Sequence, residues 1–227
     1  MKQHMIKHLT ILTALAAGTT LAPAAVISWG TATAVDASAT GGLQVSTAGT
    51  FVEAFNAGGG TTGTTTVNGV VFTNTDTDLL NNQWNGPGSP VIDDAWEAGG
   101  ADAHYDALLS TAEYGGGGGF FTIDLGGGKL SDGQKYELQV WFVEDRSGLD
   151  GRVMHFSDAS AANFADVNDQ FVIGTFTADG TSQTLGLDAQ GFGNAHISAY
   201  QLRAVPEASS AALIGLGGLS LILRRKR

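Results

Sequence analysis

The sequence predicts a mainly β protein. It reads as a two-sheet antiparallel β-sandwich with one short helix, set between an N-terminal signal helix and a C-terminal transmembrane helix. Three observations point there. Apolar and β-branched residues cluster in short runs, about ten of them, separated by turn signals such as Asp132-Gly133, Asp150-Gly151 and Asp179-Gly180. Helical spacing of apolar residues occurs convincingly only once between residues 26 and 204. Glycine is abundant, 33 of 227 residues, yet the aromatic residues fall in runs, which marks a turn-rich folded chain and not a disordered one. A set of strands with one helix is the pattern of packed sheets.

In chain order, Val26 to Trp29 reads as a first strand, followed by runs at Leu43 to Ser46 and Thr50 to Phe55. Gly58 to Thr66 is a Gly/Thr loop. TVNGVVFTN, Thr66 to Asn74, reads as one strand with a bulge at Gly69. Thr75 to Gly100 is polar, carries Pro87 and Pro90, and reads as a long loop. Asp102 to Tyr114 is the helix: Tyr105, Leu108, Leu109 and Ala112 share a face, Asp102 caps the start and Gly115 ends it. Gly115 to Gly119 is a turn; it lacks the preceding strand, the following helix and the Lys-Ser/Thr of a phosphate-binding loop. Strands are then expected at Phe120 to Leu125, Gln134 to Glu144, Arg152 to Phe156, Gln170 to Thr177, Gln183 to Leu187 and Ala195 to Arg203. No fixed-period repeat suggests a solenoid or propeller.

The two ends differ from the body. Residues 1–25 have a positive start (Lys2, Lys7), an apolar stretch from Leu9 to Leu21 and an Ala22-Pro23-Ala24 cleavage site, with cleavage after Ala24 or Ala25, as a secretory signal peptide does. That implies the Sec translocon as a partner. Residues 205–227 run from Val205-Pro206-Glu207 through the uncharged segment Ala208 to Leu223 to Arg224, Arg225, Lys226 and Arg227. As a helix the uncharged segment would be about 24 Å long, short of a bilayer core of about 30 Å, so insertion needs thinning or snorkelling of the arginines. The closing cations favour a cytoplasmic end and place the body across the membrane.

This motif, apolar segment and basic end resemble the PEP-CTERM sorting signal of Gram-negative bacteria, with Ala208 where that family usually has a second proline. The resemblance implies recognition of Val205, Pro206 and Glu207 by an exosortase-type processing enzyme. It also implies delivery to the cell surface, outer membrane or an exopolysaccharide-rich matrix.

Residues 26–204 suit one domain. Five basic residues (Lys129, Lys135, Arg146, Arg152, Arg203) stand against 21 acidic ones, a net charge of −16, which excludes polyanion binding and so nucleic acid. No cysteine is present, so disulfides and thiol catalysis are excluded. Around Tyr136-x-Leu138-x-Val140-x-Phe142, the following acidic-Arg loop, GRVMHF and the closing HISAYQL, the body resembles galactose-binding-like jelly-roll modules, malectin among them. That resemblance implies carbohydrate binding and a structural calcium, without assigning residues.

Alternation along the Tyr136 strand puts Tyr136, Leu138, Val140 and Phe142 on a core face and Glu137, Gln139, Trp141 and Val143 on the other. Trp141 beside Gln139 and Glu137 is then either a sugar-stacking platform or a residue covered by a loop or the helix. Trp84 and Trp96 are loop anchors or further ligand contacts. Asp76 with Asp78, Asp93 with Asp94, and Asp166 with Asn168 and Asp169 offer oxygens to a structural calcium, or are solvated loop carboxylates; none has EF-hand spacing. Glu144-Asp145-Arg146 is a strand-end ion pair or part of a carboxylate pair. His104, His155 and His196 are scattered, and neither H-E-x-x-H nor G-x-S-x-G occurs, which disfavours a metalloprotease or serine hydrolase. Together these features predict an exported, non-catalytic surface or matrix protein that binds carbohydrate, with no cofactor or a structural calcium. The alternatives are a carbohydrate-active enzyme using paired carboxylates and a purely structural envelope protein.

Overall fold

A computed structural model describes residues 25–36, 38–57, 64–74, 89–90, 102–115, 119–144, 146, 149, 151–158, 163–191 and 193–206. Residues 1–24 of the signal segment, Trp84, Trp96, Asp76, Asp78, Asp93, Asp94, Glu207 and the basic end Arg224, Arg225, Lys226 and Arg227 lie outside them. The described chain is mainly β. Its strands are β1 (Ser28–Trp29), β2 (Thr33–Ala34), β3 (Thr50–Asn56), β4 (Thr65–Val67), β5 (Val70–Asn74), β6 (Ser89–Pro90), β7 (Thr111–Tyr114) and β8 (Phe120–Leu125). They continue as β9 (Lys135–Phe142), β10 (Met154–Ser157), β11 (Phe164–Val167), β12 (Gln170–Thr177), β13 (Gln183–Asp188), β14 (His196–Ile197) and β15 (Ala199–Ala204). The helix α1 is Ala103–Leu109.

The larger sheet runs β1-β12-β9-β15-β3-β5-β4, with β2 also on β12. All of its pairings are antiparallel except β3 with β5. The smaller sheet runs β11-β10-β13-β8, and a short ladder joins β14, β7 and β6. The two main sheets enclose the principal core. Tyr136, Leu138, Val140 and Phe142 of β9 meet Ile123 and Leu125 of β8, Met154 and Phe156 of β10, and Leu185 and Leu187 of β13. The core face expected of β9 is therefore the core face observed.

The other face of β9 is buried too, which alternation alone does not reveal. Trp141, Val143, Phe171 and Ala199 pack with Phe72, Val45, Tyr105, Leu108 and Leu109 into a second core beneath α1. The chain is a sandwich with a third layer over its larger sheet. The sugar platform expected at Trp141, Gln139 and Glu137 is corrected accordingly. Trp141 and Gln139 are 0% exposed. The Trp141 indole N–H donates to the Tyr105 hydroxyl at 2.9 Å, and Phe72 meets the indole edge-on at 5.8 Å. Gln139 is consumed internally: its Oε1 accepts from the Ser46 N–H and from Gln201 Nε2, and its Nε2 donates to the Gln44 carbonyl. Glu137 accepts from the Ser46 hydroxyl at 2.7 Å.

Three local expectations also change. The helix stops at Leu109, and residues 111–114 form β7, held between β14 and β6. Asp102 caps the start as expected, accepting from His104 N and Tyr105 N. Residues 41–44 form a 3₁₀ turn where a strand was expected from Leu43. Asn68 (φ 47°) and Gly69 (φ 75°) form the two-residue turn of a β4–β5 hairpin, not a bulge in one strand. Positive φ at both central residues is what Asn-Gly turns supply.

Candidate functional site

Among the described residues the centre of the larger sheet, around β9, is buried on both faces, while the outer face of the smaller sheet carries exposed side chains. Its pairing builds a grid. Asp166 of β11, His155 of β10, Asp188 of β13 and Phe120 of β8 form one rung. Phe164, Ser157, Gly186 and Thr122 form the next. Directly opposed side chains on such rungs stand about 4.5–5.5 Å apart.

Two aromatic side chains rise from this grid. Phe164 is 48% exposed and Phe120 is 39% exposed. Phe164 stacks on the His155 ring at 4.5 Å with 10° between planes. His155 is also held by a second residue of β11, with Nε2 at 2.5 Å from Asp166 Oδ1. Phe120 lies across the strand beside it. An added Cβ at Gly186 would collide with the Phe120 ring and come within 2.7 Å of the Ser157 hydroxyl. Glycine at that position therefore lets the ring lie flat over the sheet. Asp188 accepts from the Gln190 N–H and side-chain amide, both at 2.9 Å. A shallow hollow of ≈ 40 Å³ is lined by Phe120, His155, Ser157, Phe164, Asp188 and Gln190. The surface thus presents two apolar rings around a floor of hydroxyl, imidazole, carboxylate and amide groups. That chemistry suits the C–H faces and hydroxyls of a sugar ring.

It does not suit hydrolysis. Asp166 and Asp188 stand two strands apart, roughly 9.5 Å between backbones, a separation an inverting glycosidase could use. Here both carboxylates are already engaged, Asp166 by His155 on the strand between them and Asp188 by Gln190.

A second hollow, of ≈ 230 Å³, lies where β9 ends and is lined by Ala112, Tyr114, Arg146, Leu149, Arg152, Asn194 and His196. Behind it Glu144 is fully buried. Arg146 grips its carboxylate through Nε at 2.7 Å and Nη2 at 2.6 Å, and Arg152 Nη1 reaches Oε2 at 2.8 Å. Burial alone would raise the Glu144 carboxyl, but the two guanidinium groups and His196 hold it below the ordinary carboxylate range. Burial pushes His196 down to about 4, so its ring is neutral at pH 7. The expected strand-end ion pair of Glu144 with Arg146 is present.

The remaining expected residues disperse. Asp166 pairs with His155, while Asp169 Oδ1 accepts from the Glu144 N–H at 2.7 Å. Among the described residues no group of three or more acidic or histidine side chains converges as a metal site. Phe120, Phe164, His155, Ser157, Asp188 and Gln190 were not singled out together from the sequence. The available signal was alternation in MHFS and FADV, which places His155, Ser157, Phe164 and Asp166 on one face.

No protein-family model matches the chain. No curated protein matches it either. Among solved structures it is similar to the ANX1 ectodomain from Arabidopsis thaliana, with a TM-score of 0.49 and 10% identity over 69% of this chain and 42% of that one. It is also similar to the plant receptor-like kinase ANX2, with a TM-score of 0.48 and 12% identity over 70% of this chain and 49% of that one. The chain spans less than half the length of either, and at this distance neither likeness bears on ligand or activity.

Proposed function

We propose that this chain is an exported, non-catalytic surface or matrix protein whose body binds polysaccharide on the outer face of the smaller sheet. The observation that carries the reading is the pair of half-exposed rings, Phe120 and Phe164, laid over a polar floor by Gly186 and His155. A hollow this shallow receives one face of a polymer and encloses none of it. Export is supported by the signal-like residues 1–25 and by the Val205-Pro206-Glu207 segment with its apolar and basic continuation. Processing by an exosortase-type enzyme and residence at a Gram-negative cell surface belong to the same proposal. A structural calcium, with Asp76, Asp78, Asp93 and Asp94 as candidate oxygen donors, also belongs to it.

The test is binding of the purified full chain to a panel of immobilised neutral polysaccharides, with and without Ca²⁺. At 39% and 48% exposure the two side chains together offer roughly 150 Å², about half of which a sugar face would cover. At about 25 cal/mol per Å² that is roughly 2 kcal/mol, near a thirtyfold change in affinity. Replacing both Phe120 and Phe164 with Ala should weaken binding by that factor with little change in thermal stability, while Tyr114→Ala in the other hollow should leave it intact. Wild-type affinity in the folded double variant, or no binding by the native chain, defeats the proposal.

A further inference from the structure

The body leaves the fold at a defined point. The last strand, β15, ends at Ala204, but Val205 is still held: its N–H donates to the Lys135 carbonyl and its own carbonyl accepts from Gln134 Nε2 at 2.7 Å. Pro206 is exposed and lies against Gly49. Only Glu207 separates Pro206 from the uncharged segment 208–223. A chain reaches at most about 3.6 Å per residue, so Ala208 stands within roughly 7 Å of Pro206.

The surface beside that exit is apolar. Phe51 is 47% exposed and pairs across the ladder with Arg203, one residue before the strand's end. Val71, next to the β4–β5 turn, is 48% exposed. Together with Thr47, Gly69, Val70 and Arg203 they line an open hollow of ≈ 280 Å³. The Arg203 guanidinium is locked in place, donating to the carbonyls of Thr47, Ala48 and Gly49, and lies 5.9 Å from the Phe51 ring centre. Lys135 is exposed beside the same exit. Lys129, Lys135 and Arg203 stand at this end together with Glu53, Asp132, Glu137 and Asp179, so the end has no cationic excess and its distinguishing feature is the exposed apolar pair.

We infer that this end of the sandwich is a membrane-docking face, with Phe51 and Val71 in the headgroup layer. The inference rests on the reading of residues 208–223 as membrane-inserted. Given that insertion, a tether of two residues cannot hold the body clear of the lipid, and the surface brought down onto it is the one that carries exposed Phe and Val. The short tether and the exposed apolar side chains together fix the orientation. The Val205-Pro206-Glu207 segment is then held at the lipid surface, within reach of a membrane-embedded processing enzyme.

The chain has no cysteine, so single labels are clean. Val71→Cys, Leu149→Cys and Leu216→Cys variants of the full chain, each carrying one environment-sensitive fluorophore, are reconstituted into vesicles of phosphatidylethanolamine and phosphatidylglycerol. Nitroxide is placed in turn on the headgroups and on the acyl chains. The Leu216 label should be quenched from the acyl chains. The Val71 label should be quenched from the headgroups several times more strongly than the Leu149 label at the far end, and Phe51→Ser should reduce that difference severalfold. Quenching at Leu216 with equal, weak quenching at Val71 and Leu149 overturns the docking face and leaves the tail reading standing. No quenching at Leu216 overturns both.

Discussion

The sharpest consequence of the third layer concerns Trp141. A platform residue could be removed at little cost to the fold; this one cannot. Its ring is fully buried among Phe72, Phe171 and Tyr105, and its N–H holds the Tyr105 hydroxyl, which also donates to Gln44 Oε1 at 3.2 Å. Trp141→Ala removes a whole indole from a packed site, a change that costs about 3–5 kcal/mol. Loss of the buried hydrogen bond to Tyr105 adds about 1 kcal/mol. A domain of this size is stable by about 5–15 kcal/mol, so the variant should lose a third or more of its stability.

At 2–4 °C for each kcal/mol, the melting temperature should fall by roughly 10–20 °C. Trp141→Phe keeps most of the packing and should cost about a third as much. The measurement is urea and thermal unfolding followed by far- and near-ultraviolet circular dichroism, with polysaccharide binding measured well below the melting transition. Binding should survive in the fraction that remains folded, because Trp141 and the smaller sheet's outer face are separated by the whole principal core. A melting temperature within about 3 °C of wild type would refute the buried assignment. Loss of binding with an unchanged melt would return Trp141 to the role of a sugar contact.

Three further outcomes follow from single positions. Burial lowers His196 from 6.5 to about 4, so the unfolded chain takes up a proton below pH 6.5 that the folded chain refuses. Stability should be full above pH 7 and fall by about 3 kcal/mol between pH 6.5 and 4, with the lowered Glu144 adding to the loss at lower pH. Urea midpoints for wild type and His196→Asn across that range should show a flatter profile in the variant. Gly186→Ala drives the Phe120 ring off the strand, so polysaccharide affinity should drop several-fold in the binding assay. Gly69→Ala meets no atom but must hold φ at 75°; about 1 kcal/mol of destabilisation is expected in urea unfolding, all of it from the backbone.

Much of the fold was legible because β alternation survives wherever one sheet face meets one core. The strands 120–125 and 170–177 have the bounds their residue pattern predicts, and the core face of β9 has the predicted residues. Legibility failed where a second layer intervened. On β9 the residues Gln139 and Trp141 read as outward-facing because a polar and an amphipathic side chain alternate with Leu and Val. Nothing local reports that the helix beginning at Asp102 returns to cover them. Period-3.6 spacing carried the helix reading through Ala112, which is buried as expected but in a strand. The Asn68-Gly69 turn was available as a hairpin signal and was masked by the continuous apolar run after it. The candidate site was harder still. Its six residues come from β8, β10, β11, β13 and the turn after β13, and only the pairing register puts them on adjacent rungs.

The positions of the two surfaces complete the functional reading. Gly126, just past the end of β8, donates to Glu53, which sits two residues from Phe51 at the exit end. Phe120 is at the opposite end of β8. Five to six residues of strand separate them, roughly 17–20 Å. A body docked through Phe51 and Val71 therefore carries Phe120 and Phe164 some distance away from the lipid, on the sheet face that no other layer covers among the described residues. Such an arrangement serves a tethered binder, because the polymer is met on the side away from the membrane. It also separates the two proposals experimentally. Phe51→Ser should change headgroup quenching and leave polysaccharide binding alone, while the Phe120 and Phe164 substitutions should do the reverse. If either substitution altered both readouts in a protein with an unchanged melt, the two surfaces would have to be one.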